Sequence, residues 1–375
     1  MVACHHHGDP TGCRDASLSN AAGDVIGIKG EIMLKAIVAA LLLMCVATTD
    51  AATDAPDGTL LSSVPCPPRA DQSFEQRGAA IRARLAEEKK LAAAEGFVMP
   101  DADPAALMRA IGTPAAHADR VAYAGFECRQ IVYASGGLKI AGFLYKPVET
   151  VGRKLPVLIY LRGGNADFGA VQAWTYDGFH DFLKAGYVVL ATQYRGGPGS
   201  EGADGYGGAD LDDVRALVPL ARSLGYADTD NVYLWGGSRG GMQAYMLLRA
   251  GFPARAAALR AGSADLRING SARPAMVDVY RRRIVDYDSD PAAKLRERSA
   301  VLWVEQIETP MILLHGTADW RVPVTEVIEV AQRLAAARRD FELHVYAGDD
   351  HALTLNRDDA IARAISFFNQ RRSMP

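Results

Sequence analysis

The sequence predicts an α/β fold: a mostly parallel sheet with helices on both faces, preceded by a short helical N-terminal segment. Three observations carry this reading. From about residue 155 onward, short apolar runs alternate with amphipathic ones. The strand-like runs are apolar without interruption, as in Val157-Leu158-Ile159, which is what a strand needs when both faces are covered. Two β-rich runs, Phe126 to Tyr133 and Leu138 to Lys146, are joined by Ala134-Ser135-Gly136-Gly137 and read as a hairpin ahead of the alternation.

The first fifty residues stand apart. Met33-Leu34-Lys35 is followed by the apolar run Ala36 to Ala47 and the small-residue exit Thr48 to Ala52. That order is the order of a secretory signal, and the apolar run is short for a membrane span. Translation is therefore expected to start at Met33, with 1–52 removed or artefactual and the protein periplasmic or secreted. Cys4, the three histidines from His5 to His7 and Cys13 fit no standard metal spacing, so no metal and no cofactor is expected. Cys45 lacks the small preceding residue of a lipidation site. Cys66 and Cys128 then remain in the mature chain, and sequence leaves their pairing open.

Residues 53–70 are rich in Pro, Ser and Asp and read as an exposed linker. Ser73 to Glu95 has the Ala, Arg, Glu and Lys content of a surface helix, with Ser73 or Asp71 as its cap. Asp103 to Ile111 reads as a second short helix. This 53–120 extension is expected to decorate the main domain, with a lid as the alternative. The main domain is placed at 121–375. Its strands fall at Leu155 to Leu161, Tyr187 to Thr192, Asn231 to Trp235, Ala256 to Arg260, Met311 to His315 and Phe341 to Tyr346. Helices are expected between them and from Asp358 to Arg371. The stretch 264–305 is long for a plain connection and reads as a possible lid insertion. Its Arg281-Arg282-Arg283 run reads as a solvated helix face.

Net charge is -3, with acids and bases interspersed, so the chain lacks the electrostatic footprint of a nucleic-acid binder. A hydrophobic content of 49% suits a large buried core. An enzyme or small-molecule binder is the remaining expectation.

The chemistry concentrates at Gly236-Gly237-Ser238-Arg239-Gly240, between the strand ending at Trp235 and an apolar helix. A Gly-x-Ser-x-Gly segment in that setting is the nucleophile elbow of α/β hydrolases. A serine hydroxyl needs a base to take its proton and an acid to orient the base, and in this fold they follow in the order Ser, acid, His. Asp319 ends the loop after the Met311 strand, and His351 ends the loop after the Phe341 strand. Both sit past the carboxyl ends of strands, on the rim that holds the elbow. Asp349 and Asp350 are too near His351 in sequence to orient it and are expected to shape its loop. His315 reads as a structural residue at a strand end, and His344 as a packed or edge residue. His117 and His180 precede the serine and fall outside the order. The oxyanion donors are expected from the backbone of Arg239 and from the loop Arg162-Gly163-Gly164-Asn165.

Residues from about 121 to 371 resemble the catalytic domain of prolyl oligopeptidase family serine peptidases. The resemblance rests on Tyr194-Arg195-Gly196-Gly197-Pro198-Gly199, Trp235 to Gly241, His315-Gly316-Thr317-Ala318-Asp319 with Arg321-Val322-Pro323, and Asp350-His351. It implies Ser238 as nucleophile, His351 as base and Asp319 as its partner, with a small peptide or ester as substrate. Members usually carry a β-propeller before this domain, and residues 53–120 are too few for one. Several place a tyrosine at the oxyanion loop where this chain has Arg162, whose guanidinium is expected to meet a substrate carboxylate or carbonyl. The expectation is an exported serine hydrolase acting on peptide bonds through an acyl-enzyme. A carboxylesterase of dienelactone-hydrolase or acetyl-ester type is the alternative, and a non-catalytic binding scaffold is a third reading.

Overall fold

The computed structural model describes residues 53–68, 72–149, 152 and 154–373. The expected signal at 33–52 and the His/Cys segment before it lie outside the described residues. Residues from 52 onward form one compact unit.

A single nine-stranded sheet organises that unit, in the order β1-β2-β3-β5-β4-β6-β7-β8-β9. Its strands are β1 (Leu60–Pro65), β2 (Phe126–Ser135), β3 (Leu138–Pro147), β4 (Leu155–Leu161), β5 (Val188–Thr192), β6 (Ala227–Gly237), β7 (Ala256–Arg260), β8 (Met311–Gly316) and β9 (Phe341–Tyr346). Strands β5, β4, β6, β7, β8 and β9 are parallel neighbours, and β1, β2 and β3 add an antiparallel edge. Side-chain alternation feeds two cores. Val157, Ile159 and Leu161 of β4 and Val232 and Leu234 of β6 point to one. Leu158 of β4 and Tyr233 and Trp235 of β6 point to the other.

Two stretches differ from the sequence reading, and the pairing of Cys66 with Cys128, left open by sequence, is formed. Residues 60–65, read as linker, form edge strand β1, registered so that Pro65 pairs with Arg129. Its apolar residues do not alternate with polar ones, and nearly all are exposed, so no buried-strand pattern marks it. Cys66 and Cys128 form a disulfide across that edge, with Cα atoms 5.4 Å apart. A third N-terminal helix also appears: α1 (Phe74–Ala94) and α2 (Pro104–Ile111) are followed by α3 (Pro114–Ala122), whose Thr113 side chain caps Ala116 N–H.

Helix α1 opens with a reciprocal cap: Ser73 Oγ accepts from Gln76 N–H, and Gln76 Oε1 from Ser73 N–H. Arg77 fastens α1 to α2 by donating to the carbonyls of Ala110 and Ile111. Further along, Glu88 accepts from Trp320 Nε1 at 3.0 Å and from Arg321 at 3.0 and 3.2 Å. Ala92 and Met99 bury against Trp320. The extension is thus docked on the loop that carries Asp319.

The remaining helices are α4 (His180–Lys184), α5 (Asp210–Arg215), α6 (Leu217–Ser223), α7 (Arg239–Arg249), α8 (Leu266–Ala272), α9 (Ala275–Arg283), α10 (Pro291–Glu297), α11 (Val324–Ala336) and α12 (Arg357–Gln370). Helices α8 to α10 occupy the long connection 264–305. There Leu266 and Tyr280 bury against Tyr206 and Met242, while the exposed Arg281 pairs with Asp278 and Asp288.

Candidate active site

Strand β6 delivers Ser238 into a backbone that side-chain-bearing residues rarely adopt, with φ 56° and ψ -124°. Such a conformation costs about 1–3 kcal/mol and persists only where the surroundings enforce it. Here Ser238 N–H donates to the Arg260 carbonyl at 3.1 Å, and the Ser238 carbonyl accepts from Gly241, Met242 and Ser263 N–H. The flanking glycines answer a steric need. A Cβ on Gly236 would stand 2.6 Å from the Gly240 carbonyl oxygen, and one on Gly240 would collide with the Leu161 carbonyl. Any side chain at either position would push α7 off the sheet.

Strand β8 carries Asp319 to the same rim, and every lone-pair direction of its buried carboxylate is used. Oδ1 accepts from the backbone N–H of Arg321 and Val322, at 2.9 and 3.0 Å. Oδ2 lies 2.8 Å from His351 Nδ1 and 3.1 Å from His315 Nε2. Burial alone would raise the Asp319 pKa. The His351 charge and the hydrogen bonds from both histidines outweigh burial and hold the carboxyl far below the usual range. Because Oδ2 is acceptor-only, the His351 proton on this side sits on Nδ1, which leaves Nε2 as the basic nitrogen.

The loop around His351 is shaped by the two acids before it. Asp349 accepts from the N–H groups of Leu355 and Asn356 and from the Asn356 side chain. Asp350 accepts from Ala352, Thr354 N–H and Thr354 Oγ1. Arg260 joins this loop to the elbow, since its guanidinium donates to the Ala352 carbonyl at 2.9 Å while its own carbonyl holds Ser238.

His315 does more than end a strand. Its Nε2 faces the Val322 carbonyl at 2.9 Å as well as Asp319, and a carbonyl only accepts, so this nitrogen carries a proton. Burial disfavours its charge, but the Asp319 contact prevails and raises its pKa. His315 Nδ1 makes no hydrogen bond among the described residues. On the first turn of α11, Glu326 Oε2 accepts from Ala264 and Asp265 N–H, at 2.7 and 2.8 Å, while Oε1 is buried without a partner among the described residues. Burial pushes this carboxyl up to about 8.

The Glu326 shift has a stability consequence. A carboxyl protonated in the folded state but ionised in the unfolded one makes unfolding release a proton. Stability therefore falls as pH rises from the ordinary carboxyl range, near 4.5, to about 8. Glu326→Gln keeps the acceptor for Ala264 and Asp265 and removes the titration. Denaturant unfolding at several pH values is expected to show a flatter profile in the variant between 5 and 8.

The loop after β4 meets the elbow from the other side. A Cβ on Gly163 would lie 3.1 Å from Ser238 Cβ and 3.8 Å from Ser238 Oγ, so a side chain here would crowd the serine. Gly164 has φ +73°, and a Cβ there would overlap the Phe168 carbonyl.

Arg162 behaves differently from the sequence expectation. Its guanidinium is turned inward, only 1% of the residue is exposed, and its donors go to the carbonyls of Gly163, Ala166, Phe168 and Gln193. It stacks over Tyr194 at 5.2 Å. Arg162 therefore templates the loop and has no donor left for a substrate carboxylate.

The Arg239 side chain completes the frame. It is equally buried and pairs with Asp204 at 2.6 and 2.8 Å and with Asp210 at 2.7 Å. It also donates to the Gly164 carbonyl at 3.1 Å, and Asp204 in turn accepts from Ala166 N–H. The residue that follows the serine thus grips the glycine loop facing it. Its backbone N–H, at the first position of α7, has no acceptor within its own helix. Nothing in the spacing of Asp204, Asp210 or Glu326 marks them in sequence. His315 carried a weak signal, four residues before the acid.

Fold and site together define an α/β hydrolase with serine-type machinery. The prolyl oligopeptidase family profile matches residues 174–373, over half of the chain, and the chain belongs to that family of serine peptidases. It is 25% identical over 243 residues to the uncharacterized peptidase YtmA of Bacillus subtilis, covering 64% of this chain and 93% of that one. It is 26% identical over 257 residues to acylamino-acid-releasing enzyme 1 of Oryza sativa, covering 62% of this chain but 33% of the relative. Among solved structures, the acylaminoacyl peptidase of Pyrococcus horikoshii superposes with a TM-score of 0.58 at 18% identity, over 66% of this chain and 42% of that one. A puromycin-hydrolyzing peptidase of Mycobacterium tuberculosis gives 0.57 at 20%, over 64% and 38%. The chain therefore spans nearly all of YtmA and about a third of the acylamino-acid-releasing enzyme. At these identities the structural likenesses speak to the fold alone.

Proposed function

We propose that the protein is an exported serine peptidase. Ser238 attacks a peptide carbonyl and His351 Nε2 takes its proton. Asp319 holds His351 and stabilises the imidazolium. The tetrahedral oxyanion is received by the backbone N–H of Arg239 and by the Gly163-Gly164 loop. His351 then protonates the departing amine, leaving an acyl-enzyme on Ser238 that water hydrolyses.

The observation that carries this reading is the strained Ser238 elbow on the rim where Asp319 Oδ2 fixes His351 Nδ1. Family membership favours peptide over ester substrates. The Cys66–Cys128 disulfide favours an oxidising compartment, and so export through the segment at 33–52.

Turnover of aminoacyl-p-nitroanilides and of p-nitrophenyl acetate separates peptidase from esterase. The proposal expects both to be cleaved. Ester cleavage with inert anilides across a panel of acyl groups would assign a carboxylesterase instead.

A further inference from the structure

A large cavity, about 1180 Å³, lies between α1 and the loop that follows His351. Its floor is aromatic, with Tyr160, Phe179 and Trp235. Ala352, Thr354 and Leu355, on the loop that follows His351, form one wall. Gln76, Ala80 and Arg84 of α1 form the opposite wall.

Arginines outnumber carboxylates in the lining, with Arg357 also near Asp181. Arg77, Arg84, Arg109, Arg260 and Arg357 all line the cavity, against two carboxylates, Asp358 and Asp359. Asp359 is committed to Arg363 at 2.6 Å and to the Tyr346 hydroxyl at 2.8 Å, and Asp358 lies 3.8 Å from Arg120. Arg77 donates to backbone carbonyls, and no carboxylate pairs with it among the described residues. Arg84 is exposed to the cavity, and no carboxylate pairs with it among the described residues. Burial and the neighbouring Arg84 charge both push the Arg260 guanidinium down, against the pull of Tyr160, Asp350 and Asp349. Like charges held around one concave, partly apolar space favour an anionic occupant, and guanidinium matches carboxylate in shape and hydrogen bonding.

We propose that this cavity receives the leaving-group side of a peptide, gripping a free C-terminal α-carboxylate through Arg84 and Arg260 while an apolar side chain rests on Tyr160, Phe179 and Trp235. This rests on reading Ser238 and His351 as the reacting pair: the base hands its proton to the leaving group, so the space beyond His351 lies on that group's side. The helical extension then supplies part of the substrate site, and substrates that end shortly after the scissile bond are preferred.

The test is calorimetric binding of acetyl-Ala-Ala-Phe, as the free acid and as the C-terminal amide, to the full chain carrying Ser238→Ala. The acid is expected to bind about tenfold tighter, on the scale of a charge-assisted hydrogen bond. Adding Arg84→Met is expected to abolish most of that preference, and Arg84→Lys to keep part of it. Ala80→Glu, which sets a carboxylate into the same wall, is expected to reverse it. Equal affinity for acid and amide, absence of binding by either, or a preference that survives Arg84→Met and Ala80→Glu would each overturn the proposal. Because binding is read without turnover, a carboxylate preference in a protein that cleaves no anilide leaves the cavity assignment standing while the peptidase reading falls.

Discussion

Asp319→Asn is expected to lower kcat by about 10⁴-fold, the scale set when the orienting acid of such a trio loses its charge. The structure dictates how the amide must sit. Arg321 and Val322 N–H groups both point at Oδ1 and demand an oxygen there. The amide nitrogen is thereby forced into the Oδ2 position, facing His351 Nδ1 and His315 Nε2. His351 then moves its proton to Nε2 to accept from that nitrogen, and the base that should deprotonate Ser238 is already protonated. His315 meets a donor where it had an acceptor, and it cannot switch tautomer without losing the Val322 carbonyl. A fall in melting temperature is therefore expected with the fall in kcat. Steady-state kinetics and a thermal melt of the variant check both, and unchanged kcat would remove Asp319 from the mechanism.

The second large effect is that of Ser238→Ala. Loss of the nucleophile is expected to cost on the order of 10⁶ in kcat, the scale found for nucleophile removal in serine proteases. Stability should behave in the opposite sense to a core mutation. The Ser238 side chain makes no capping hydrogen bond at the start of α7, so alanine gives up no helix cap. The positive φ strain stays with alanine and is relieved by Ser238→Gly. A melting temperature equal to wild type or above it, beside abolished turnover, is the expected pair of results. Such a trade is characteristic of a strained functional site.

Much of this was legible in the sequence, for identifiable reasons. The apolar runs of β4, β6 and β8 announce strands covered on both faces, and the sheet buries them that way. Ser238, Asp319 and His351 stand out in sequence because each follows a strand, in the order this fold uses. The structure brings His351 and Asp319 into contact and sets Gly163 against Ser238. What escaped has a common cause. Edge strand β1 is exposed and lacks the alternation of a half-buried strand; it pairs with β2 beside the disulfide at Cys66. The inward turn of Arg162, the grip of Arg239 on Asp204 and Asp210, and the docking of Glu88 on Trp320 and Arg321 are contacts between residues far apart in the chain. No local pattern encodes which carbonyls will surround a buried guanidinium. The same holds for the cavity beyond His351, whose two walls are more than 250 residues apart in sequence.

The central claim, that Ser238 is the nucleophile of an acyl-transfer site, is tested most directly by trapping it. The protein is treated with a fluorophosphonate, digested, and the modified peptide identified by mass spectrometry. The account predicts one adduct per chain, on Ser238, and none on Ser238→Ala. An adduct on another residue, or labelling that persists undiminished in Ser238→Ala, would contradict it.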